Sequence, residues 1–140
     1  MSPALTSSLE TILVVEDNPT VMKPVVMMLE HAGFNVLSAS DAQQAIQIES
    51  GFTEIIHLLL SDVMMPGMPG PVLAKQLQQK RPQMRVVLMS GFTDGAVLLL
   101  NHGWHFIAKP FQANALLNRV NDALHTQAPA QETDRFDTRK

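Results

Sequence analysis

Cysteine is absent from this chain of 140 residues, and the net charge is small. The lack of cysteine excludes disulfide bonds, thiolate metal sites and cysteine nucleophiles. Ten Lys and Arg against thirteen Asp and Glu give a formal charge of −3. The chain therefore has no basic field that would attract a phosphate backbone or an anionic membrane. We expect neither direct nucleic-acid binding nor membrane insertion.

Long hydrophobic runs are also missing. The longest apolar runs reach about half of a membrane span, and no basic segment followed by an apolar one opens the chain as in a signal peptide. We expect a soluble cytoplasmic protein. Because 46% of the residues are apolar and 16% are charged, the chain can still bury the core of one ordinary domain.

Five short aliphatic runs alternate with segments of helical spacing. The runs are bounded by turn residues and predict buried strands. They lie at residues 11–15, 35–39, 57–61, 85–89 and 105–108. A strand followed by a helix, five times over, indicates a parallel sheet with helices on both faces. The polar residues 1–10 and 126–140 predict frayed tails on a single domain at residues 11–125.

Residues typical of helix ends support this alternation. Asn18 predicts an N-cap for the first helix, and Gly33 and Gly51 lie where a helix needs a left-handed residue at its C-terminus. Residues 93–101 contain the apolar run AVLLL at 96–100 and predict a short helix that ends at Gly103.

Polar side chains stand at the carboxyl ends of four predicted strands, where sheets of this kind carry their active crevice. They are Glu16 and Asp17 after the first strand, Asp62 after the third, Ser90 at the end of the fourth and Lys109 after the fifth. Carboxylates held together repel one another unless a cation neutralises them, and such a cluster suits Mg²⁺. A carboxylate can also attack phosphorus when a metal and an ammonium offset the charge. Asp62 is the candidate nucleophile because it is central and precedes the Pro-Gly-Met-Pro-Gly loop at residues 66–70.

Four motifs closely resemble the receiver domains of two-component response regulators. They are ILVVEDN at residues 12–18, LSDVMMPG at 60–67, VLMSG at 87–91 and FIAKPF at 106–111. The resemblance covers residues 11–125. It implies a flavodoxin-like, doubly wound (βα)5 fold with the strand order 2-1-3-4-5.

The resemblance also implies a role for each matching acidic position. Asp62 would accept a phosphoryl group from a phosphohistidine on a sensor histidine kinase or a histidine phosphotransfer protein. Asp17, Asp62 and the backbone carbonyl of Met64 would bind Mg²⁺ as the cofactor, and Glu16 would act through a coordinated water. The family implies no enzyme activity beyond promoting its own phosphorylation and slow dephosphorylation.

The remaining motif residues would respond to the phosphoryl group. Lys109 would pair with a phosphoryl oxygen, and the Lys109–Pro110 bond would be cis. Ser90 would hydrogen-bond the phosphoryl group, and Phe106 would turn inward into the space it leaves. This switch would alter a surface that binds an unidentified protein effector or forms a phosphorylation-dependent dimer. The interval from Ser90 to Lys109 is shorter than is usual in the family, which puts the regularity of residues 91–103 in question.

Other functions on similar folds fit the sequence less well. A haloacid dehalogenase phosphatase needs a second Asp where this chain has Met64, and a flavin carrier needs a phosphate cradle where this chain has Glu16 and Asp17. The P-loop motif of nucleotide hydrolases is absent. A degenerate receiver-like interaction module that is not phosphorylated is the remaining alternative.

Overall fold

One five-stranded parallel sheet organises the chain. The computed structural model describes residues 9–91 and 103–125. Within them the strands pair in the order β2-β1-β3-β4-β5, which confirms the predicted fold class and topology. The strands are β1 (Thr11–Val15), β2 (Asn35–Ala39), β3 (Leu58–Asp62), β4 (Arg85–Ser90) and β5 (His105–Ala108).

Four helices connect or follow these strands within the described residues. They are α1 (Pro19–His31), α2 (Ala42–Gly51), α3 (Gly70–Lys80) and α4 (Ala113–Leu124). The helix predicted at residues 93–101 lies outside the described residues, as do residues 1–8 and 126–140 of the predicted tails. None of the helices in the described ranges has the length and apolar character needed to span a bilayer.

The sheet is buried on both faces, which explains why its strands are continuous apolar runs. In β1, Leu13 and Val15 face one core and Ile12 and Val14 face the other. Helices α2 and α3 cover the first core, and α1 and α4 cover the second. The carboxyl ends of the central strands are therefore held by packing on both sides.

The predicted helix ends are confirmed at two positions and wrong at a third. The Asn18 side chain accepts a hydrogen bond from the backbone N–H of Thr20, and Gly33 adopts a φ of 101°. Gly51 is instead the last helical residue of α2, and Phe52 follows in extended backbone. The Arg81 guanidinium donates to the Phe52 carbonyl at 2.6 Å, so a side chain satisfies an acceptor at this helix end.

The third strand is shifted by one residue from its prediction. It begins at Leu58, which pairs with Ile12, and ends at Asp62. His57 precedes the strand, and its ring Nδ1 accepts a hydrogen bond from the backbone N–H of Thr11 at 2.9 Å. The shift makes Asp62 part of the buried strand, which restricts its backbone more than a loop position would.

Candidate functional site

The predicted acidic residues meet at the carboxyl edge of the sheet. Glu16 and Asp17 directly follow β1, and Asp62 ends β3, the strand paired with β1. One carboxylate oxygen from each residue lies within 4.8 Å of the others. Glu16 and Asp62 are buried, whereas Asp17 is exposed. The cluster therefore combines two desolvated carboxylates with one that solvent can reach.

Lys109 joins this cluster from the far edge of the sheet. Its Nζ lies 2.9 Å from Glu16 Oε1 and 3.3 Å from Asp62 Oδ2. The Lys109 backbone N–H donates to the Ser90 carbonyl at 2.7 Å, and the Lys109–Pro110 bond is cis, as the resemblance implied. One ammonium thus lies against two acids that come from the ends of different strands.

Burial and pairing shift the pKa values of this ion pair. Burial raises the pKa of the Glu16 carboxyl above its ordinary value, and the opposing hydrogen bonds from Lys109 and from the Asn18 N–H do not cancel this. Burial also lowers the pKa of Lys109, but its hydrogen bond to Glu16 and the charge of Asp62 outweigh burial and leave the pKa raised. Lys109 therefore stays protonated over the physiological range and offsets part of the acidic charge.

Three other predicted residues lie on or just after the strands β3, β4 and β5. Ser90 is buried at the end of β4, next to the strand that carries Asp62. Met64 follows Asp62 by two residues and is 70% exposed. Phe106 is partly buried and packs against the core covered by α2 and α3. Their predicted roles as phosphoryl ligand, carbonyl ligand and switch remain predictions.

Gly70 is a site residue that sequence reasoning missed. A Cβ placed on Gly70 would overlap the backbone carbonyl oxygen of Asp62. The first residue of α3 therefore approaches the candidate nucleophile more closely than any side chain would allow. The only sequence signal was a glycine at the end of a Pro-Gly loop, which is equally typical of an ordinary turn.

The donor set fits a hard divalent cation. Three carboxylates offer oxygen ligands, and one of them is exposed, so an ion could keep several waters as Mg²⁺ requires. Lys109 pairs with Glu16 Oε1 and with Asp62 Oδ2, whereas none of the ion pairs among the described residues involves Asp17. The acidic cluster of Glu16, Asp17 and Asp62 therefore has the chemistry of a magnesium site.

Sequence and structure comparisons define the class of protein. Residues 12–121 match the family model of the response regulator receiver domain, so the chain belongs to this family. A crystal structure of a response regulator receiver domain protein from Clostridium thermocellum superposes with a TM-score of 0.76 at 28% identity. That comparison covers 83% of this chain and 94% of the other.

Curated relatives contain this region as a small part of longer proteins. The sensor kinase CckA of Brucella abortus (strain 2308) is 30% identical over 120 residues, which are 84% of this chain and 13% of that protein. The transcriptional regulatory protein GlrR of Escherichia coli (strain K12) is 30% identical over 122 residues, or 85% of this chain and 27% of that protein. The chain thus spans about a quarter or less of these two relatives and is a receiver domain of two-component systems.

Proposed function

We propose that the chain accepts a phosphoryl group on Asp62 from a phosphohistidine of a sensor histidine kinase or a histidine phosphotransfer protein. The observation that carries the proposal is the placement of the Lys109 ammonium within 3.3 Å of Asp62 and 2.9 Å of Glu16. A cation held between a nucleophilic carboxylate and a second acid is suited to an incoming, highly charged phosphoryl group.

The proposed transfer exchanges a bond between phosphorus and nitrogen for one between phosphorus and oxygen. A carboxylate oxygen of Asp62 forms a bond to phosphorus while the bond from phosphorus to the histidine nitrogen breaks. The electron pair of that bond stays on the histidine nitrogen. A phosphohistidine that is protonated at its other ring nitrogen leaves as neutral imidazole, and an unprotonated one takes a proton from water as it leaves. Lys109 neutralises a phosphoryl oxygen in this arrangement, and it does so without having to gain or lose a proton.

Mg²⁺ is the cofactor we propose for this site. Asp17, Asp62 and the backbone carbonyl of Met64 would hold it, with Glu16 acting through a water. The ion would supply charge that offsets the phosphoryl oxygens during transfer. Asp17 suits this role because it is exposed, so an ion can reach its carboxylate from solvent.

Phosphorylation would switch a protein-binding surface through Ser90 and Phe106. The Ser90 hydroxyl would bond the phosphoryl group, and Phe106, which is only partly buried in this state, would turn further inward. Ser90 is linked to Lys109 through the backbone hydrogen bond of 2.7 Å, so a shift of either strand end reaches the other. The resulting population shift would change affinity for a protein effector or for a second copy of the chain.

The test is an intact-mass measurement with a matched control. The protein is incubated with Mg²⁺ and a small acyl-phosphate donor, and the gain of one phosphoryl group is followed. We expect the gain in wild type and in Asp41→Asn, which alters an exposed helix cap, and no gain in Asp62→Asn. Absence of any gain in wild type would favour the degenerate interaction module, and a full gain in Asp62→Asn would refute the assignment.

A further inference from the structure

We propose that Ser61 is a positioning residue that holds the backbone of Asp62, with Gly70 providing the space that this requires. The proposal rests on the proposed function of Asp62 and adds how the chain orients that residue and its metal. Ser61 would contact neither the phosphoryl group nor the metal, and it would act through Asp62.

The Ser61 hydroxyl is fully buried and makes one defined contact with the candidate nucleophile. It is 0% exposed and donates a hydrogen bond to the backbone carbonyl oxygen of Asp62 at 2.9 Å. Leu59 and Val63 belong to the core covered by α2 and α3, and strand alternation places Ser61 on the same face. Burial of a hydroxyl without a hydrogen bond costs free energy, so the bond to the Asp62 carbonyl offsets the cost of placing Ser61 on this face.

Gly70 lies close to the same carbonyl. A Cβ on Gly70 would overlap the Asp62 carbonyl oxygen and would lie 3.1 Å from the Ser61 Oγ. The Gly70 N–H also donates to the Val63 carbonyl at 2.9 Å, and the Val63 N–H donates to Met89 at 2.9 Å. The peptide that follows Asp62 is thus fixed by a hydroxyl, by the start of α3 and by β4.

This arrangement determines where two of the proposed metal ligands point. The Asp62 carboxylate and the Met64 carbonyl lie on either side of the fixed peptide, so rotation of that peptide would move one relative to the other. Loss of a group that orients a metal ligand commonly weakens metal binding by about 10- to 100-fold. Because Ser61 acts on a backbone atom and not on the carboxylate itself, we expect the lower end of this range.

The experiment compares Mg²⁺ affinity in wild type, Ser61→Ala and Ile12→Val by titration calorimetry. Ile12 is buried in β1 on the opposite face, and Ile→Val costs about 0.5 to 1.5 kcal/mol, similar to the loss of one buried hydrogen bond. We expect about tenfold weaker Mg²⁺ binding in Ser61→Ala and unchanged binding in Ile12→Val. Urea unfolding of both variants verifies that their losses of stability are comparable.

The possible results of the titrations test the positioning role and the metal site separately. Equal Mg²⁺ affinity in Ser61→Ala and wild type would overturn the positioning role and leave the proposed function intact. Equal weakening in Ile12→Val would show that general loss of stability, and not orientation of Asp62, lowers the affinity. Absence of Mg²⁺ binding in wild type would overturn the proposed metal site and the positioning role together. Restoration of most of the affinity by Ser61→Cys, which keeps a weak donor of similar size, would further support the hydrogen bond.

Discussion

The ion pair between Lys109 and Glu16 gives a prediction that does not depend on phosphorylation. The Glu16 side chain is 1% exposed and its Oε1 lies 2.9 Å from Lys109 Nζ, while the Lys109 side chain is 22% exposed. The substitution Lys109→Met keeps most of the aliphatic stem and removes the charge. It leaves a buried carboxylate with only the Asn18 N–H, at 3.1 Å, as its remaining described hydrogen-bond donor.

The expected loss follows from the burial of the acid. Removing one partner of a buried pair costs about 3 to 5 kcal/mol, and a hydrogen bond to a charged group contributes about 1.5 to 3 kcal/mol. Because Lys109 is partly exposed, we expect a decrease of about 2 to 3 kcal/mol in the free energy of unfolding at neutral pH. Lys80→Met is the matched control. Lys80 is 55% exposed and lies 3.7 Å from Glu49, so its removal should cost less than about 1 kcal/mol.

The pH dependence of this loss has a definite sign. The pKa of Glu16 is already raised by burial, and removal of Lys109 takes away the hydrogen bond and the charge that lower it. When the pKa of a carboxyl is higher in the folded protein than in the unfolded chain, the free energy of unfolding falls as the pH rises between these two pKa values. The difference between wild type and Lys109→Met should therefore be largest at neutral pH and shrink in mildly acidic buffer. Urea unfolding at both pH values measures it. A loss no larger than that of Lys80→Met, or one that grows in acid, would refute this reasoning.

Three further perturbations have expected outcomes. Mg²⁺ should raise the melting temperature of wild type and of Asp41→Asn, with about 2.7 kcal/mol of stabilisation at a hundredfold excess over the Kd. Asp17→Asn should reduce this rise in melting temperature. A rise in Asp17→Asn equal to that in wild type would count against the metal site. Arg81→Ala should lower the free energy of unfolding by about 3 kcal/mol, because Glu49 is buried and accepts a hydrogen bond from Arg81 Nε at 2.8 Å. Urea unfolding measures this loss. A loss no larger than that expected for an exposed ion pair would contradict the prediction. Met64→Asn should speed the loss of the phosphoryl group, since an amide can orient a water and a thioether cannot; an unchanged rate of phosphate release would exclude Met64 from this role.

The fold was predictable because the strands are buried on both faces. Runs such as Ile12 to Val15 contain no polar position, and turn residues separate them from segments of helical period. The topology then places Glu16, Asp17 and Asp62 at one edge, whatever the exact length of each loop. The meeting of these acids is therefore a property of strand order, which the resemblance to receiver domains implied.

Contacts that depend on loop conformation were not predictable in the same way. The pairing of Lys109 with Glu16, closer than with Asp62, depends on the path of the chain after β5. The prediction of a left-handed Gly51 failed because Arg81, 30 positions later, satisfies the helix end from another element. The close approach of Gly70 to Asp62 follows from how α3 begins. A glycine in a turn does not indicate, from the sequence alone, which residue its backbone will approach.

The central claim is that Asp62 itself receives the phosphoryl group from a phosphohistidine. The most direct measurement incubates the full chain with Mg²⁺ and a histidine phosphotransfer protein carrying a labelled phosphohistidine, then reduces the product with borohydride and maps its peptides. Reduction converts a phosphorylated aspartate to homoserine, so we expect homoserine at position 62 in proportion to the label transferred. Label on any other residue, or transfer without homoserine at position 62, would contradict it.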